Sequence, residues 1–425
     1  DEDGDVLPLA HIVVLPDSVT AISDNRGTFS LKLAKGNHTL VISYTGFQTR
    51  VEKIIILSDS TLRLRLQPNI DQLEEVVIVS RRDRQQELFE STRMSTQVLL
   101  PDDVTSIPVL GGEADLIKVL QLMPGTVRGI EGSSDLFVRG GAADQNLVLL
   151  DDATIYNTSH LLGFVSVFNP DILQSVESTN GGFPASQGGR LSSILDVRTK
   201  SEIADDTHVS GDIGLIASRL FVEQPIVDDK LGVWVAGRRT YIDKVMSVIN
   251  EELPYFFYDL NARALWRPSP RDRISFSYYK GNDDLDIFRD RNNDGVGFLT
   301  SFQSGNDNQT LQWNHSINEK WESHVSALRT TYDYNILNAF RDNRLRAYSE
   351  IEDIGAKGEI TYRGDQRQTL KIGTQWTRHE VSPSVVNSSG TFSEFLESST
   401  SQGRVSNELA LYGQYEWSPA DRWMI

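Results

Sequence analysis

Two neighbouring stretches of the sequence decide the fold: residues 135–157, DLFVRGGAADQNLVLLDDATIYN, and residues 168–200, FNPDILQSVESTNGGFPASQGGRLSSILDVRTK. Short apolar runs in them alternate with glycine pairs at 140–141, 181–182 and 188–189. Glycine tolerates positive φ and the close approach of another backbone, so each pair predicts a tight turn. The stretches contain no catalytic triad and no cluster of metal ligands. They predict a small sheet domain with many tight turns.

The pieces of these stretches resemble the plug of TonB-dependent outer-membrane receptors. The matching segments are Phe137–Gly141, Leu149–Asp152, Gly181–Ala185 and Gly188–Ser193. Each segment alone is a weak signal, whereas their order and spacing make a specific one. The resemblance implies an α+β plug domain, which we predict over residues 94–206.

The composition limits the classes of function. The formal net charge of −18 and the pI near 4.9 argue against a nucleic-acid partner, because phosphate binding needs a basic face. The chain has no cysteine, which excludes disulfides, thiolate metal sites and a cysteine nucleophile. The seven histidines show no metalloprotease spacing, and no serine-hydrolase or P-loop signature occurs. We therefore predict that the chain is not an enzyme.

Residues 1–68 are predicted to form a small β-sandwich. Apolar residues alternate with their neighbours along 40–44 and again along 62–66, which is the period of a half-buried strand. The segments Ser23–Phe29 and Tyr44–Phe47 resemble the carboxypeptidase-regulatory-like domain that precedes many receptors of Bacteroidetes type. That family has a further strand at its start, which we expect to be missing here.

A short strand-forming segment, LEEVVIVS, follows at 73–80, within a predicted linker over 69–93. A strand with a free edge on a tether can pair with a partner's sheet through main-chain hydrogen bonds. The segment resembles the TonB box, the peptide that the inner-membrane energy transducer pulls. The alternative is the last strand of the sandwich. The resemblance gives the TonB-box role to Leu73, Glu74, Glu75, Val76, Val77, Ile78 and Val79.

From residue 207 to residue 425 the pattern changes to long amphipathic strands. Apolar residues alternate with polar or charged ones, for example along 258–266 and 409–417. One apolar and one polar face fits lipid outside and a wet lumen inside, whereas a soluble sandwich is the alternative. We count about ten strands, and a plugged outer-membrane transporter has about 22. We therefore expect the first part of an antiparallel transmembrane β-barrel, in an all-β dominated chain that is truncated within the barrel.

The connections between these strands differ in length. Those near 268–272 and 363–367 are short, whereas those at 282–301, 335–346 and 382–403 are long and polar. Barrels of the outer membrane have short periplasmic turns and long outer loops. We therefore expect the short connections to face the periplasm and the long ones to face the outside.

Arg139 is the charged plug residue that the resemblance singles out. In the receptor family the arginine of the matching motif pairs with barrel glutamates and latches the plug in the lumen, a role that suits a bidentate guanidinium. The family often has a second basic residue before the later glycine pair, where this chain has Asn180. Arg190 is the substitute that we predict. The alternative is that both are ordinary surface arginines.

The resemblance places outward plug loops near 130–135 and 155–164. In the second of these, Tyr156, His160 and Phe164 offer aromatic and hydrogen-bonding contact. We predict that a bound ligand touches Tyr156 or His160 together with at least one outer barrel loop.

One loop has the first half of a calcium-binding pattern, in Asp290, Asn292 and Asp294. Its twelfth position is Ser301 instead of the bidentate glutamate. Calcium is the only cofactor that we consider, and a polar turn is the alternative.

The function implied by the resemblance is energy-coupled import of a large or scarce nutrient across the outer membrane of a Gram-negative cell. A siderophore, a vitamin, a glycan and a peptide all fit. The partners are a TonB-like energy transducer, outer-membrane lipid and an extracellular ligand, and a surface lipoprotein is a further candidate. The N-terminal domain is expected in the periplasm, where it could also signal. The rival hypothesis is an extracellular β-sandwich that binds or adheres without transport.

Overall fold

The computed structural model describes residues 6–7, 10–15, 19–24, 26–44, 49–58, 61–66, 95–107, 114–129, 135–160, 163, 165–214, 216–241, 243–244, 254–289, 297–364, 368–394, 399 and 403–417. The chain forms two compact units, Asp1–Ser80 and Arg81–Ile425. The second unit contains both the sheet predicted as a plug and the long strands predicted as a barrel.

The first unit contains an antiparallel sheet in the order β2-β1-β3-β4. Its strands are β1 (His11–Leu15), β2 (Val19–Ile22), β3 (Gly36–Ser43) and β4 (Arg50–Ile56). The predicted alternation is confirmed, because Leu40 and Ile42 are buried in its core. Leucines of the segments 28–35 and 61–66 pack on the same core. The described residues thus form two layers around one core.

The plug has a five-stranded sheet in the order β5-β12-β13-β8-β9, in which only the β8–β13 pair is parallel. Its strands are β5 (Thr96–Leu99), β6 (Thr126–Arg128), β7 (Leu136–Val138), β8 (Asn146–Leu150), β9 (Ala153–Thr154), β10 (Ser159–His160), β11 (Val165–Ser166), β12 (Leu173–Thr179) and β13 (Ser193–Thr199). Two short helices, α1 (Pro101–Thr105) and α2 (Leu116–Leu120), complete the predicted α+β domain. None of the helices among the described residues is long and apolar enough to cross a membrane.

The long strands form one antiparallel sheet of ten, each paired with the next in sequence. They are β14 (His208–Ile213), β15 (Ala217–Val227), β16 (Leu231–Thr240), β17 (Tyr255–Ser269), β18 (Asp272–Arg289), β19 (Phe298–Asn318), β20 (Trp321–Phe340), β21 (Asn343–Arg363), β22 (Gln368–Ser389) and β23 (Arg404–Trp417). The number of strands and their order agree with the prediction.

The two faces of this sheet differ in polarity, as predicted. The face turned towards the plug buries polar side chains such as Asn308, Thr310 and Gln312, whereas Leu311 and Trp313 between them are exposed on the other face. A soluble protein places its apolar residues inside, so this arrangement is inverted. It fits a wall with lipid on one side and a polar lumen on the other. We call the plug-facing side inward and the opposite side outward.

The outward apolar residues form a belt with two distinct borders. On β20 the belt begins at Trp321 and ends before Arg329, and on β21 it begins at Tyr362 and ends before Glu352. The Trp321 ring packs at a tilt against the Tyr362 ring at one border, with centroids 4.8 Å apart, and Arg329 pairs with Glu352 at 2.7 Å at the other. Eight residues of strand span about 27 Å at about 3.4 Å each, which matches the apolar band of about 25 Å on barrels. An aromatic girdle and a charged row therefore border the belt.

Two of the three predicted outer loops, 282–301 and 335–346, consist mostly of strand. The range 335–346 contains only a two-residue turn, Arg341–Asp342, between β20 and β21, and β18 continues through the first half of 282–301 to Arg289. Polar composition suggested loops, but strands that leave the bilayer meet water and need no apolar face there. Strands β18 to β22 have 18 to 22 residues, about twice the 9–11 that span a bilayer.

Candidate functional site

The glycine motifs of the plug meet in space. Gly141 lies against Ser192, whose Oγ donates to the Val138 carbonyl at 2.5 Å, and a Cβ at position 141 would overlap that hydroxyl. Arg139, Gly140 and Gly181 all have positive φ. The pairing of these segments brings β7, β8 and β13 together and sets the direction of the turn that follows β8.

That turn consists of Asp151 and Asp152, which both have positive φ, at 47° and 74°. The Asp151 carboxylate accepts hydrogen bonds from Thr199 N at 3.0 Å and from its hydroxyl, and it pairs with Arg263 of β17 at 2.7 Å. Burial alone would raise the pKa of Asp151, but the Arg263 charge and the Thr199 hydrogen bonds outweigh it and lower the pKa. Asp151 is therefore a buried anion that joins the plug to the barrel sheet.

Asp152 makes a second connection from the same turn. Its carboxylate accepts from Gln312 Nε2 of β19 at 2.6 Å and lies 3.3 Å from His324 Nε2 of β20. Arg198 of β13 pairs with it at 3.1 Å. Burial would raise the pKa of Asp152, but Arg198 and His324 hold it well below its ordinary value. The two neighbouring aspartates thus contact three barrel strands.

His160 forms a further connection between the plug and the sheet. Here the plug supplies the histidine and the sheet supplies the carboxylates. Its Nε2 lies 2.6 Å from Asp259 of β17 and its Nδ1 lies 2.8 Å from Asp283 of β18, while the ring stacks on Phe257 at 4.3 Å. Asp259 also accepts from Arg238 Nε at 2.7 Å. Burial would lower the pKa of His160, but the two carboxylates outweigh it and raise the pKa to about 9. The ring is therefore a buried cation between two anions.

The loop between these contacts is held by hydrogen bonds from the uncharged side chains of Tyr156 and Asn306. Tyr156 donates its hydroxyl to Asp353 of β21 at 2.6 Å, and burial together with that carboxylate raises the pKa of Tyr156 above its ordinary value. The Asn306 side chain of β19 donates to the Asn157 carbonyl at 2.9 Å. His379 donates to or accepts from the other Asp353 oxygen at 2.7 Å. The loop is thus fixed on the inward face of β19 to β22.

The three residues predicted to contact a ligand, Tyr156, His160 and Phe164, differ in their surroundings. His160 is 2% exposed and both its nitrogens face carboxylates, so it has no free nitrogen for a ligand. Its ligand contact stays a prediction, and in this structure its ring contacts carboxylates of the barrel sheet. Tyr156 is only half-buried. Phe164 lies outside the described residues, as do Leu73–Val79 and the predicted calcium ligands Asp290, Asn292 and Asp294. Within the described ranges, no group of three or more histidine or acidic side chains could hold a metal ion.

The predicted latch arginines do not contact the barrel among the residues that the structure describes. Arg139 is exposed and donates to Ser95 Oγ at 2.8 Å, and Arg190 donates to the neighbouring Gly189 carbonyl at 2.9 Å. Their latch role stays a prediction. Ion pairs between plug and barrel occur at Asp151, Asp152, His160, Asp171 and Lys200, and sequence reasoning selected none of these residues for such a pairing. The available signal was the charge at inward positions of the strands, at Arg238, Asp259, Arg263 and Asp283.

The protonation of His160 predicts a pH dependence of plug stability. Its folded pKa of about 9 lies above the ordinary 6.5 of an unfolded chain. The stabilisation is therefore complete below about pH 6.5 and is lost as the pH rises through about 9, on the order of 3 kcal/mol in all. We expect the plug to unfold at a lower temperature at pH 9.5 than at pH 6 in the wild type. The His160→Gln variant should show a much smaller difference, and an equal difference in both would contradict the assignment. The other groups at this ring are Arg238, Tyr255 and Tyr279, which hydrogen-bond to Asp259 or Asp283.

Two family models match the chain. The CarboxypepD_reg-like domain matches residues 1–78, and the TonB-dependent Receptor Plug Domain matches residues 90–192. These are domains of receptors and not of enzymes, which agrees with the expectation from the motifs. A search of curated protein sequences gave no match.

Solved structures of outer-membrane receptors share the fold. A mutant of the ferric enterobactin receptor from Pseudomonas aeruginosa has a TM-score of 0.57 at 14% identity, over 80% of this chain and 57% of that one. A siderophore receptor from Acinetobacter baumannii has a TM-score of 0.55 at 14% identity, over 81% and 56%. The ferric citrate transporter in its unliganded form has 0.51 at 11% identity, over 80% and 63%. The chain thus spans less than two thirds of the length of these structures.

At these identities the structural likeness shows the fold, and the family models add the domain order. The chain carries a carboxypeptidase-regulatory-like domain, then a TonB-dependent receptor plug domain, and the sheet around that plug has the fold of the TonB-dependent outer-membrane receptors.

Proposed function

We propose that this chain serves energy-coupled import of a nutrient across the outer membrane. Its plug closes the lumen while the receptor rests, and a TonB-like transducer in the periplasm pulls on Leu73–Val79 to open it. In this proposal the unit 1–80 lies in the periplasm, the outward belt faces lipid, and the ligand arrives on the opposite side. A lipoprotein partner, a signalling role and a calcium site stay predictions.

The proposal rests on the buried contacts that hold the plug against the barrel sheet. Asp151, Asp152 and His160 reach inward side chains of β17, β18, β19 and β20 through buried contacts of 2.6 to 3.3 Å. An adhesion module has no need of a domain held inside a polar lumen, whereas a gated transporter does. The contacts are ion pairs and hydrogen bonds, which a directed pull can break one after another.

We infer the orientation from the connections at both ends of the sheet. Those at 228–230, 270–271, 319–320 and 364–367 are short, whereas those at 241–254, 290–297 and 390–403 at the opposite end are longer, and the connection at 214–216 and the Arg341–Asp342 turn are the exceptions at that end. Short turns face the periplasm in outer-membrane barrels. The loop around Tyr156 contacts Asn306 and Asp353 near the middle of β19 and β21, at the border of the belt away from the Pro270–Arg271 turn, so it would face the outside. A ligand is then expected to touch Tyr156 and the ends of strands β18 to β22.

The sequence does not decide between the four candidate substrate classes. The structural neighbours include receptors for ferric enterobactin and ferric citrate, so a ferric siderophore is the first class to test. Vitamins, glycans and peptides are the further classes.

A disulfide across the plug–barrel contact tests whether import needs the plug to leave its seat. Residues 1–425 contain no cysteine, so Asn157→Cys with Asn306→Cys introduces a single pair within them. In the full-length receptor we expect this pair to crosslink in oxidised membranes and to stop uptake of any compound that the wild type accumulates. Reductant should restore uptake.

The matched control combines Asn157→Cys with Gln309→Cys, because Gln309 lies on β19 with outward register. This pair should not crosslink and should import normally. Normal uptake by a fully crosslinked 157–306 receptor would contradict the proposed gating.

A further inference from the structure

The outward face of β15 to β17 has a depression beside Gly237 of β16. Gly237 pairs in register with Leu220 of β15 and with Leu260 of β17, and these leucines line its two sides. Glycine has no side chain, and a Cβ at position 237 would meet nothing closer than the Asp259 carbonyl at 3.9 Å. The depression has a volume of about 440 Å³, and small-molecule sites measure about 300–1,000 Å³. It is therefore large enough for part of a ligand.

The depression opens on the side of the sheet away from the plug. The neighbouring residues Arg238 and Asp259 point inward and are buried against the plug. Unbroken strand register leads from Gly237 across β17 to β20 to Glu352, a member of the charged row that borders the belt. In the proposed orientation this border meets the outer leaflet, because it lies away from the short turns. The depression therefore faces lipid of that leaflet.

Polar side chains lie at one end of the depression, one outward position beyond its glycine. Arg239 pairs in register with Ser218 on one side and with Tyr258 on the other, and all three residues line the depression. The Arg239 guanidinium lies over the Phe256 ring at 4.8 Å, and this side chain is 46% exposed. A guanidinium carries its N–H donors in its own plane, so a ring against its face leaves donors at its edge for a phosphate.

The charge at this end of the depression is positive. Asp243 lies 3.5 Å from Arg239 and 3.5 Å from Lys244, so the three residues carry one net positive charge. Both distances exceed that of an ordinary hydrogen bond. Arginine binds phosphate through two parallel hydrogen bonds, and basic pockets at membrane surfaces bind lipid head groups. A hydrocarbon chain that covers the two leucines removes apolar surface from water. A ligand that fits both parts has a phosphate and an acyl chain.

We propose that the depression beside Gly237 binds a phosphorylated lipid of the outer leaflet. One acyl chain lies over Gly237, and the phosphate accepts hydrogen bonds from Arg239 and the Tyr258 hydroxyl. The outer leaflet of a Gram-negative outer membrane consists mainly of phosphorylated, multiply acylated glycolipid, so its lipid A part is the occupant. The proposal rests on the proposed function through the lipid-facing belt and the orientation of the sheet, and it adds a bound lipid that import itself does not require.

The test is native mass spectrometry of the full-length receptor in detergent micelles, which counts bound lipid molecules. The probes are hexa-acylated lipid A and the same lipid A without its phosphates. We expect the phosphorylated form to bind more tightly. Gly237→Leu fills the depression and should weaken that binding at least about tenfold. Val235→Leu is the matched control, because it introduces the same residue one outward position away on β16, outside the depression, and should leave binding unchanged.

A second pair of variants tests the phosphate contact. Arg239→Gln removes the positive charge and should also weaken binding of lipid A about tenfold, because charge-assisted hydrogen bonds are the strong ones. Arg329→Gln is its control. Arg329 is an outward cation of the same border and is 47% exposed, but it pairs with Glu352 at 2.7 Å. This variant should bind lipid A like the wild type.

Four results would overturn the proposal: equal binding by Gly237→Leu and Val235→Leu, equal binding by the two arginine variants, equal binding of both lipid probes, or a receptor dimer in place of a bound lipid. The dimer would show that a second copy of the chain covers the depression. The 157–306 crosslink lies on the inward face and involves none of these residues. Its outcome therefore separates a failure of the lipid site from a failure of the import proposal.

Discussion

The Asp259→Ala variant is expected to lose the buried contacts that hold the plug against the barrel sheet. Asp259 is fully buried and accepts hydrogen bonds from Arg238, Tyr279 and His160 at 2.6 to 2.9 Å. Removing it leaves Arg238 and His160 as buried cations with fewer counter-charges. Breaking a buried ion pair by deleting one member costs about 3–5 kcal/mol. Hydrogen exchange over residues 146–199 should accelerate, and the outer membrane should admit antibiotics that the wild type excludes.

A surface pair provides the control for this prediction. Arg329 and Glu352 also approach to 2.7 Å, but their side chains are 47% and 30% exposed on the outward face. Exposed pairs contribute about 0–1 kcal/mol, so Glu352→Ala should leave exchange and permeability almost unchanged. Equal effects of the two variants, at equal expression, would show that Asp259 does not seat the plug.

The parts of the fold that depend on local pattern could be predicted. Alternation along the strands predicted both faces of the barrel sheet, because the side-chain period of a strand is two. The glycine pairs predicted the turns of the plug, and the structure explains one of them: Gly141 leaves room for Ser192, which is distant in sequence. The order of the ten strands follows the sequence, because each strand of this antiparallel sheet pairs with the next one along the chain.

The seat of the plug could not be predicted in the same way. His160 lies 99 residues before Asp259 and 123 before Asp283, so their meeting depends on the register of several strand pairs. The sequence also does not show whether the partner of a charged residue is buried or exposed to solvent. The family resemblance points to Arg139, whereas the described ion pairs join plug carboxylates to barrel cations and, in the reverse sense, His160 and Lys200 to barrel carboxylates.

The polar ranges that we predicted as outer loops show a second limit. Residues 335–346 are rich in polar side chains because β20 and β21 continue past the belt, where water can meet both sides. Composition distinguishes lipid from water but not strand from loop.

The Val77→Pro variant is expected to abolish energy coupling. Val77 is central in the segment Leu73–Val79 that resembles the TonB box. Proline removes one backbone donor and cannot sit within a paired strand, so strand addition to the transducer's sheet should fail. Uptake should vanish while ligand binding on the outside is kept. The alternative assignment, the last strand of the sandwich, predicts instead that the unit 1–80 loses stability.

Gln85→Pro in the polar run that follows is the control, because it alters the same linker outside the strand-forming segment. The most direct measurement is capture of the full-length receptor by the periplasmic domain of the TonB-like transducer, with thermal unfolding of the unit 1–80 recorded for the same variants. The account predicts that Val77→Pro is not captured, that Gln85→Pro is captured like the wild type, and that all three unfold at the same temperature. Capture of Val77→Pro at the wild-type level would contradict energy-coupled import through this segment.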